Sequence, residues 1–358
     1  MFKIFNNKVE AFGLDISSKS LKFLQIKKRK NKFYITSFLE ERIPEGIIKE
    51  GFVEKEKDLA KIIQDSLKKV RGEKIKTPFV IASLPEEKTY LEILKLPKLS
   101  DEELNKAIEL NAEMYIPLSL KDCYFNFKKL QESNGNIEIL LAVAKKDLVN
   151  SYINALEMAK LKPISLPIES EAVAKAIFPF EKPKESVLIV DFGETRTGLI
   201  IYHNEIRATS TIPVSSEIFT LAIAKSLRID FKKAEELKKE KGLFERENEV
   251  FDALIPPLKD LLDQIKIYLD YYQTKKYLNG SKSNEKKISK IILCGGGSNL
   301  KGLPNVMQTM INIETELANP LKSIFVSEKL KFTKEESLGF TTAVGLALES
   351  FEIKEIYD

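Results

Sequence analysis

"FGLDISSKSLKFLQIKK", residues 12–28, ends an apolar strand on a carboxylate, Asp15, and continues through Ser17-Ser18-Lys19-Ser20 into a second strand. A plain two-residue hairpin would use Asn-Gly or Asp-Gly there. Hydroxyls, backbone N–H groups and one cation in a short turn suit an anion, and the carboxylate beside them suits the metal an anion brings along. The stretch has a twin in "IVDFGETRTGLIIY", residues 189–202, which repeats the plan: apolar strand, Asp191, an apolar residue, a small residue, polar turn, apolar strand. Asp15 aligns with Asp191, Ser17 with Gly193, and Lys19-Ser20-Leu21 with Arg196-Thr197-Gly198. The chain is therefore expected to be internally duplicated, one half per lobe. Two facing lobes, each with a polar turn and a carboxylate, form a clamp for phosphates and a divalent cation.

A third loop, "CGGGSNLKGL" (residues 294–303), completes the set. Gly295, Gly296 and Gly297 let the backbone approach a flat or charged ligand, and Ser298 is placed to cap a following helix. Two rival motifs fail. A Walker A loop needs Lys and Ser/Thr after its last glycine, but Leu303-Pro304 follow Gly302; the dinucleotide fingerprint needs a glycine where Leu300 stands.

The length of 358 residues calls for two or more lobes. With 57 basic against 53 acidic residues the net charge is +4, which makes no electrostatic case for nucleic acid. The basic clusters at 27–32 and 282–290 are short, and each is expected to be a solvated turn. Cys123 and Cys294 lack metal-ligand spacing and fit buried thiols. The single histidine, His203, lies between two predicted strands, and neither a zinc site nor a Ser-His-Asp triad can be built on it. No apolar run is long enough to span a bilayer and no signal-peptide pattern opens the chain, so a cytoplasmic protein is expected.

Strands are predicted at 9–16, 21–28 and 32–39, with the second hairpin turning at Arg29-Lys30-Asn31. A helix with Leu59, Ile62, Ile63, Leu67 and Val70 on one face follows, then the buried strand "TPFVIASLP". Residues 86–161 read β-α-β-β-α, an inserted subdomain whose first helix carries a Ser100/Glu103 capping box and whose hairpin turns at Ser133-Asn134-Gly135. Three more strands follow from 187, long Lys/Glu-rich helices fill 215–277, residues 279–287 are loop by composition, and "SLGFTTAVGLALESF" is a closing helix.

These three loops in this order resemble the nucleotide site of the actin/Hsp70/sugar-kinase superfamily, and nearly the whole chain resembles its PilM family of actin-like type IV pilus proteins, more distantly FtsA. "FGLDISSKSLK" is similar to the first phosphate loop, "VDFGETRTGL" to the second, "LCGGGSNLKGLPNVM" to the adenosine loop and "KAEELKKEKGL" to the adenosine-contacting helix. The resemblance implies an α/β, actin-like (ribonuclease H-like) two-lobed fold. It assigns 1–85, 162–185 and 338–358 to a first lobe and 86–161 to the insert. Residues 186–214 and 288–337 form a second core, and 215–287 its helical subdomain. It implies ATP or ADP with Mg²⁺: Asp15 and Asp191 on the metal through water, and Ser17, Ser18, Lys19, Ser20, Gly193, Glu194, Thr195, Arg196 and Thr197 around the phosphates. Gly295, Gly296, Gly297, Ser298, Glu235 and Lys238 take the nucleoside, and Glu169 orients an attacking water.

Actin-like hydrolases usually carry glycine where Ser17, Glu194 and Thr195 stand, so nucleotide binding with slow hydrolysis is expected. The implied role is a scaffold that recognises the N-terminal tail of a PilN-like inner-membrane protein. It would reach the membrane only through such partners, and self-association would be possible. An FtsA-like division protein is the alternative, but the acidic ending "ALESFEIKEIYD" lacks that family's basic amphipathic helix. A small-molecule kinase would need a substrate pocket with a catalytic carboxylate, which the insert does not resemble.

Overall fold

The structure is a computed structural model that describes residues 10–111, 114, 116–133, 135–244, 248–278, 287–327 and 330–353. Val9, Asn134 of the insert's turn, the polar loop 279–286 and the acidic end 354–358 lie outside the described residues. The chain divides into two units, residues 1–179 with 323–331 and 342–358, and residues 180–322 with 332–341.

In the first unit, β1 (Phe12–Ile16), β2 (Ser20–Arg29) and β3 (Lys32–Arg42) form an antiparallel meander. Lys30 and Asn31 turn the second hairpin at φ 46° and 62°, the two left-handed positions that match strand twist. A small hairpin, β4 (Ile48–Lys49) with β5 (Phe52–Val53), leads to α1 (Glu56–Leu67); β6 (Arg71–Gly72) then pairs with β3, and β7 (Phe79–Ala82) lies parallel to β1. Alternate residues Phe12, Leu14 and Ile16 face α1, where Leu59 and Ile63 are buried.

The insert consists of β8 (Thr89–Pro97), α2 (Asp101–Asn111), β9 (Cys123–Ser133) and β10 (Asn136–Lys145), with sheet order β8-β10-β9. Its own core holds Leu94, Leu96, Leu104, Ile108, Ile137, Ile139 and Leu141. The capping box forms as expected: the Ser100 N–H donates to Glu103 Oε2 at 2.8 Å and the Glu103 N–H to Ser100 Oγ at 3.4 Å. The next helix, α3 (Lys146–Met158), does not belong to the insert's core. Its stripe of Leu148, Val149, Tyr152, Ala155 and Leu156 packs with α1 and β1, and the Tyr152 hydroxyl donates to the Gly51 carbonyl at 2.8 Å. Where the sequence pattern runs the insert through 161, its packing stops near 145, because the apolar stripe of α3 faces the lobe.

After α3, β11 (Lys162–Ser165) joins β7 in parallel and α4 (Glu169–Ile177) follows. The second unit contains β12 (Val187–Phe192), β13 (Thr197–His203), β14 (Glu205–Ile212), α5 (Ser216–Leu227), α6 (Phe231–Lys241) and α7 (Glu249–Leu278). It continues with β15 (Lys290–Cys294), α8 (Leu303–Ile311) and β16 (Glu314–Leu317). A short strand, β17 (Ile324–Val326), pairs in parallel with β3, so residues 323–331 lie in the first unit, where the resemblance assigned them to the second core; residues 180–185 and 338–341, assigned to the first lobe, lie in the second unit. The predicted closing helix is two, α9 (Lys334–Gly339) and α10 (Thr341–Glu349), divided at Phe340.

The duplication is visible in strand order. The first sheet runs β11-β7-β1-β2-β3, the second β16-β15-β12-β13-β14, with the same parallel and antiparallel pairings. Register corrects the sequence alignment by one residue. Asp15 pairs with Lys22 and Asp191 with Gly198, so Leu21 corresponds to Thr197 and Lys22 to Gly198. A match by residue type shifts the second turn against the first, while the pairing of the strands fixes their true correspondence. In the first unit α10 crosses α4 so closely that a Cβ on Gly345 would lie 1.8 Å from the Ala172 carbonyl oxygen. Only glycine permits that crossing.

Thr89 and Ala144 are register partners, so the insert leaves and re-enters the lobe at neighbouring points. Replacing residues 90–143 by a short Gly-Ser link should leave a chain that unfolds cooperatively in urea. Deleting 86–161 also strips α3 from the core and should abolish the cooperative transition, as read by far-UV circular dichroism.

Candidate functional site

The first polar turn closes on itself. The Ser17 N–H donates to the Ser20 carbonyl at 3.0 Å, and Ser17 Oγ accepts the Ser20 N–H at 3.2 Å. Asp15, at the end of β1, is only 5% exposed, and a carboxylate so placed requires partners. Ser83 Oγ donates to its Oδ1 at 3.4 Å, and Lys22 Nζ stands 3.6 Å from its Oδ2 and 3.2 Å from Ser20 Oγ. Lys22 was not among the sequence-predicted residues. The signal was available: residues flanking a tight turn at equal distance face each other across the hairpin. Ser18 and Lys19 sit between the strands, half-buried, and the Lys19 carbonyl accepts the Ile43 N–H at 2.9 Å.

In the second turn the Gly193 N–H donates to the Arg196 carbonyl at 3.0 Å. The first amides of α5 bond to this loop, Ser216 N–H to the Gly193 carbonyl and Glu217 N–H to that of Glu194. Thr197 is fully buried, and its hydroxyl donates to the Val214 carbonyl at 2.6 Å. Thr195 and Arg196 stay half-buried in the turn itself. Asp191 pairs in register with Cys294 on β15, and the Cys294 thiol hydrogen-bonds to its carboxylate. Burial, the Asp191 charge and that hydrogen bond push the thiol well above its ordinary pKa, so Cys294 is a neutral donor. Sequence spacing carried no hint of this contact, which depends on parallel pairing across a crossover.

Gly295 takes φ +80°, and a Cβ there would sit 2.4 Å from Asp191 Oδ1, so the glycine is what lets the third loop pass the second carboxylate. Gly296 is exposed, with nothing within 4 Å of where its Cβ would be. Gly297 is buried against Phe192. Ser298 does not cap the helix as expected. Residues 296–299 form a 3₁₀ turn, the Ser298 hydroxyl donates to the Cys294 carbonyl, and α8 starts only after Gly302. The reason is geometric: the left-handed Gly302 intervenes before a regular helix can begin.

The structure places Glu235 and Lys238 one turn apart on α6, as spacing requires, but closely engaged. Lys238 is 6% exposed; its ammonium donates to the Ser216 carbonyl at 2.9 Å, to Ser216 Oγ at 2.8 Å and to Thr220 Oγ1 at 2.6 Å, and pairs with Glu235 at 2.7 Å. Burial lowers its pKa in spite of Glu235. Burial alone would raise Glu235, but hydrogen bonds from Lys238 and Thr220 outweigh it and lower that carboxyl. The pair thus ties α6 to the start of α5, which carries the second polar turn.

Glu169 opens α4 and exchanges caps with the turn before β8. Its Oε2 accepts the Glu86 N–H at 3.3 Å, while Glu86 Oε2 accepts the Ser170 N–H at 3.2 Å. Two residues on, Glu171 accepts the Ile168 N–H at 3.0 Å. Burial raises Glu171 to about 7, against the pull of that hydrogen bond and with help from the charges of Glu349 and Glu86. Glu349 is raised as well, chiefly by burial.

The geometry is that of a duplicated α/β fold in which each half ends its first strand on a carboxylate beside a polar turn. The chain is similar in fold to the ethanolamine utilization protein EutJ from Carboxydothermus hydrogenoformans, at 14% identity over 94% of this chain and 88% of that one, with a TM-score of 0.55. It is similar to MreB 5 of Spiroplasma citri bound to AMPPNP, at 13% identity over 94% of each chain and a TM-score of 0.51. The fold is of the actin-like class. A solved PilM-PilN type IV pilus biogenesis complex is similar over 96% of this chain and 99% of that chain, at 26% identity and a TM-score of 0.81. The family model for type IV pilus assembly protein PilM matches residues 13–351, and the chain belongs to that family.

Glu171 binds its proton more tightly when folded, so its contribution to stability is complete below about pH 4.5 and is lost as pH rises through about 7. Wild-type stability should therefore fall between pH 5 and pH 8. Glu171→Gln, which keeps an acceptor for the Ile168 N–H, should remove on the order of 2 kcal/mol of that fall. Urea midpoints at the two pH values measure it; the slope left over belongs to Glu349 and the other carboxylates.

Proposed function

We propose that the chain is an ATP-binding, actin-like scaffold of a type IV pilus machine, holding the N-terminal tail of a PilN-like inner-membrane protein. The observation that carries this reading is the full-length likeness to the PilM-PilN complex, together with the polar turns beside Asp15 and Asp191. Among the described residues no group of three or more His, Cys, Asp or Glu side chains is placed to hold a metal ion. A cation beside these aspartates would thus rest on single carboxylates, water and phosphate oxygens, which is how Mg²⁺ is usually held. Residues 17–20 and 193–197 would take the phosphates, with Lys22 added to the set. Gly295–Ser298, Glu235 and Lys238 would flank the nucleoside. The reciprocal caps of Glu169 and Glu86 favour a positioning role for Glu169 over activation of water. Among the described residues no helix is long and apolar enough to cross a membrane.

The insert supplies a place for the tail. In its sheet β10 is central, which leaves β8 and β9 as edges. Leu94 and Leu96 face α2, so alternation puts Leu91 and Ile93 on the opposite face, beside their register partners Ala142 and Leu140. An extended peptide would add main-chain hydrogen bonds along such an edge and seat alternate side chains against this second apolar face.

Calorimetry should show Mg²⁺-dependent ATP binding that Asp191→Ala weakens more than about tenfold, a loss of at least ~1.4 kcal/mol. Unchanged affinity in both Asp15→Ala and Asp191→Ala would remove the metal from these loops. Phosphate release should run well below the ~10 s⁻¹ median of enzymes, because Glu194 and Thr195 crowd the second loop. A rate near that median would overturn the expectation.

A tail peptide of about ten residues offers little area, and micromolar affinity is expected, raised in the cell by tethering. Ile93→Glu should weaken capture about tenfold or more in fluorescence anisotropy. A photo-crosslinking peptide should label the insert; labels confined to 215–277 would place the tail elsewhere.

A further inference from the structure

The basic run 27–32, expected to be no more than a solvated turn, has an organisation that solvation does not require. Lys28, Arg29, Lys30 and Lys32 are exposed at the end of the β2–β3 hairpin, fixed by the two left-handed residues Lys30 and Asn31. Their charges are not equivalent. Glu73 and Glu10 hold Lys27, and Glu73 holds Arg29 at 2.8 Å. Lys28, Lys30 and Lys32 have no ion-pair partner among the described residues. A collar of aromatic rings sits just behind them. Lys28 Nζ lies 5.4 Å from the centre of the Phe33 ring, and Lys32 Nζ 5.0 Å from that of Phe325. Tyr34 stacks on Phe325 at 5.3 Å, and Phe325, on the edge strand β17, remains 48% exposed.

Three unneutralised cations in front of a half-exposed aromatic pair form an amphipathic end. Lysine ammoniums are drawn to an anionic leaflet, while rings with one wet edge settle at headgroup depth. We propose that this hairpin end docks directly on anionic phospholipid headgroups, a contact distinct from the tail-binding reading and independent of it. Single-stranded nucleic acid fits less well. That ligand needs free ring faces for base stacking along a basic groove. Here the ring faces are occupied: Phe325 lies under Lys32 and against Tyr34, and Phe33 lies under Lys28 with Phe351 against it at 5.0 Å. A two-residue turn is also an end, not a groove, and suits a flat charged surface.

The test is co-sedimentation of the full chain with vesicles of phosphatidylglycerol and phosphatidylcholine, against vesicles of phosphatidylcholine alone, at low and high salt. Binding is expected only to the anionic vesicles and should weaken as salt rises. The triple variant Lys28→Gln, Lys30→Gln, Lys32→Gln should lose at least about tenfold in partitioning. A charge-matched control on α1 and its entry, Lys55→Gln, Lys57→Gln, Lys61→Gln, should stay within about twofold, which separates a local site from net charge. Phe325→Ser should weaken binding severalfold and leave its salt dependence intact. Absence of binding to anionic vesicles, equal losses in the two triple variants, or equally tight binding of single-stranded DNA lost in the same lysine variant would each overturn the proposal. Thermal melting of every variant shows whether it is folded.

Discussion

A carboxylate withdrawn from water at the end of a strand is unfavourable unless something neutralises or hydrogen-bonds it, and each half of this chain sets one there, Asp15 buried and Asp191 half-buried. The first half answers with a cation across the hairpin. Lys22 faces Asp15 in register and also reaches Ser20 Oγ, so one ammonium joins the carboxylate to the polar turn. The second half has Gly198 at that register position and answers from the other side, with the neutral Cys294 thiol on the parallel strand. The requirement is the same and the solutions differ. Strand order is free to stay duplicated while the chemistry around each aspartate diverges.

From those two hairpins the surrounding structure is built outward. The second turn is held by the first amides of α5, α5 by Lys238 of α6, and Lys238 by Glu235 and Thr220. A buried lysine is costly unless its donors are all used, and here they are. Residues that the family resemblance assigns to a nucleoside therefore also fix the loop that resembles a phosphate cradle. The first unit has a parallel device in the exchanged caps of Glu86 and Glu169, which bind the entrance of the insert to the start of α4.

Much of this was legible in the sequence because its signals are local. Asp15, Asp191 and the glycines of 295–297 stand where strand period and turn chemistry put them. The Ser100–Glu103 box formed as its spacing required. What sequence could not supply was contact across distance. The apolar stripe of α3 has the same period whether it faces the insert or α1, and only packing decides that it joins the lobe. Ser298 had the composition of a helix cap, but the left-handed Gly302 delays the helix and leaves the hydroxyl to the Cys294 carbonyl. The one-residue error in aligning the two turns has a similar cause, since residue type suggested one match and hydrogen-bond register enforces another.

The register also explains why the two polar turns are not interchangeable. With Lys22 beside it, Asp15 is already neutralised without any ligand, and a metal ion approaching it meets an ammonium 3.6 Å away. Asp191 has a neutral thiol as its register neighbour on β15, and Gly295 keeps the space beside its Oδ1 clear of a side chain of its own. A cation is therefore accommodated at Asp191 with less opposition from its register neighbours, while the first turn, with an ammonium already in it, suits the anion. Each taken by itself, the turn at Asp191 opposes a cation less, and the turn at Asp15, with Lys22 and its serines, opposes an anion less.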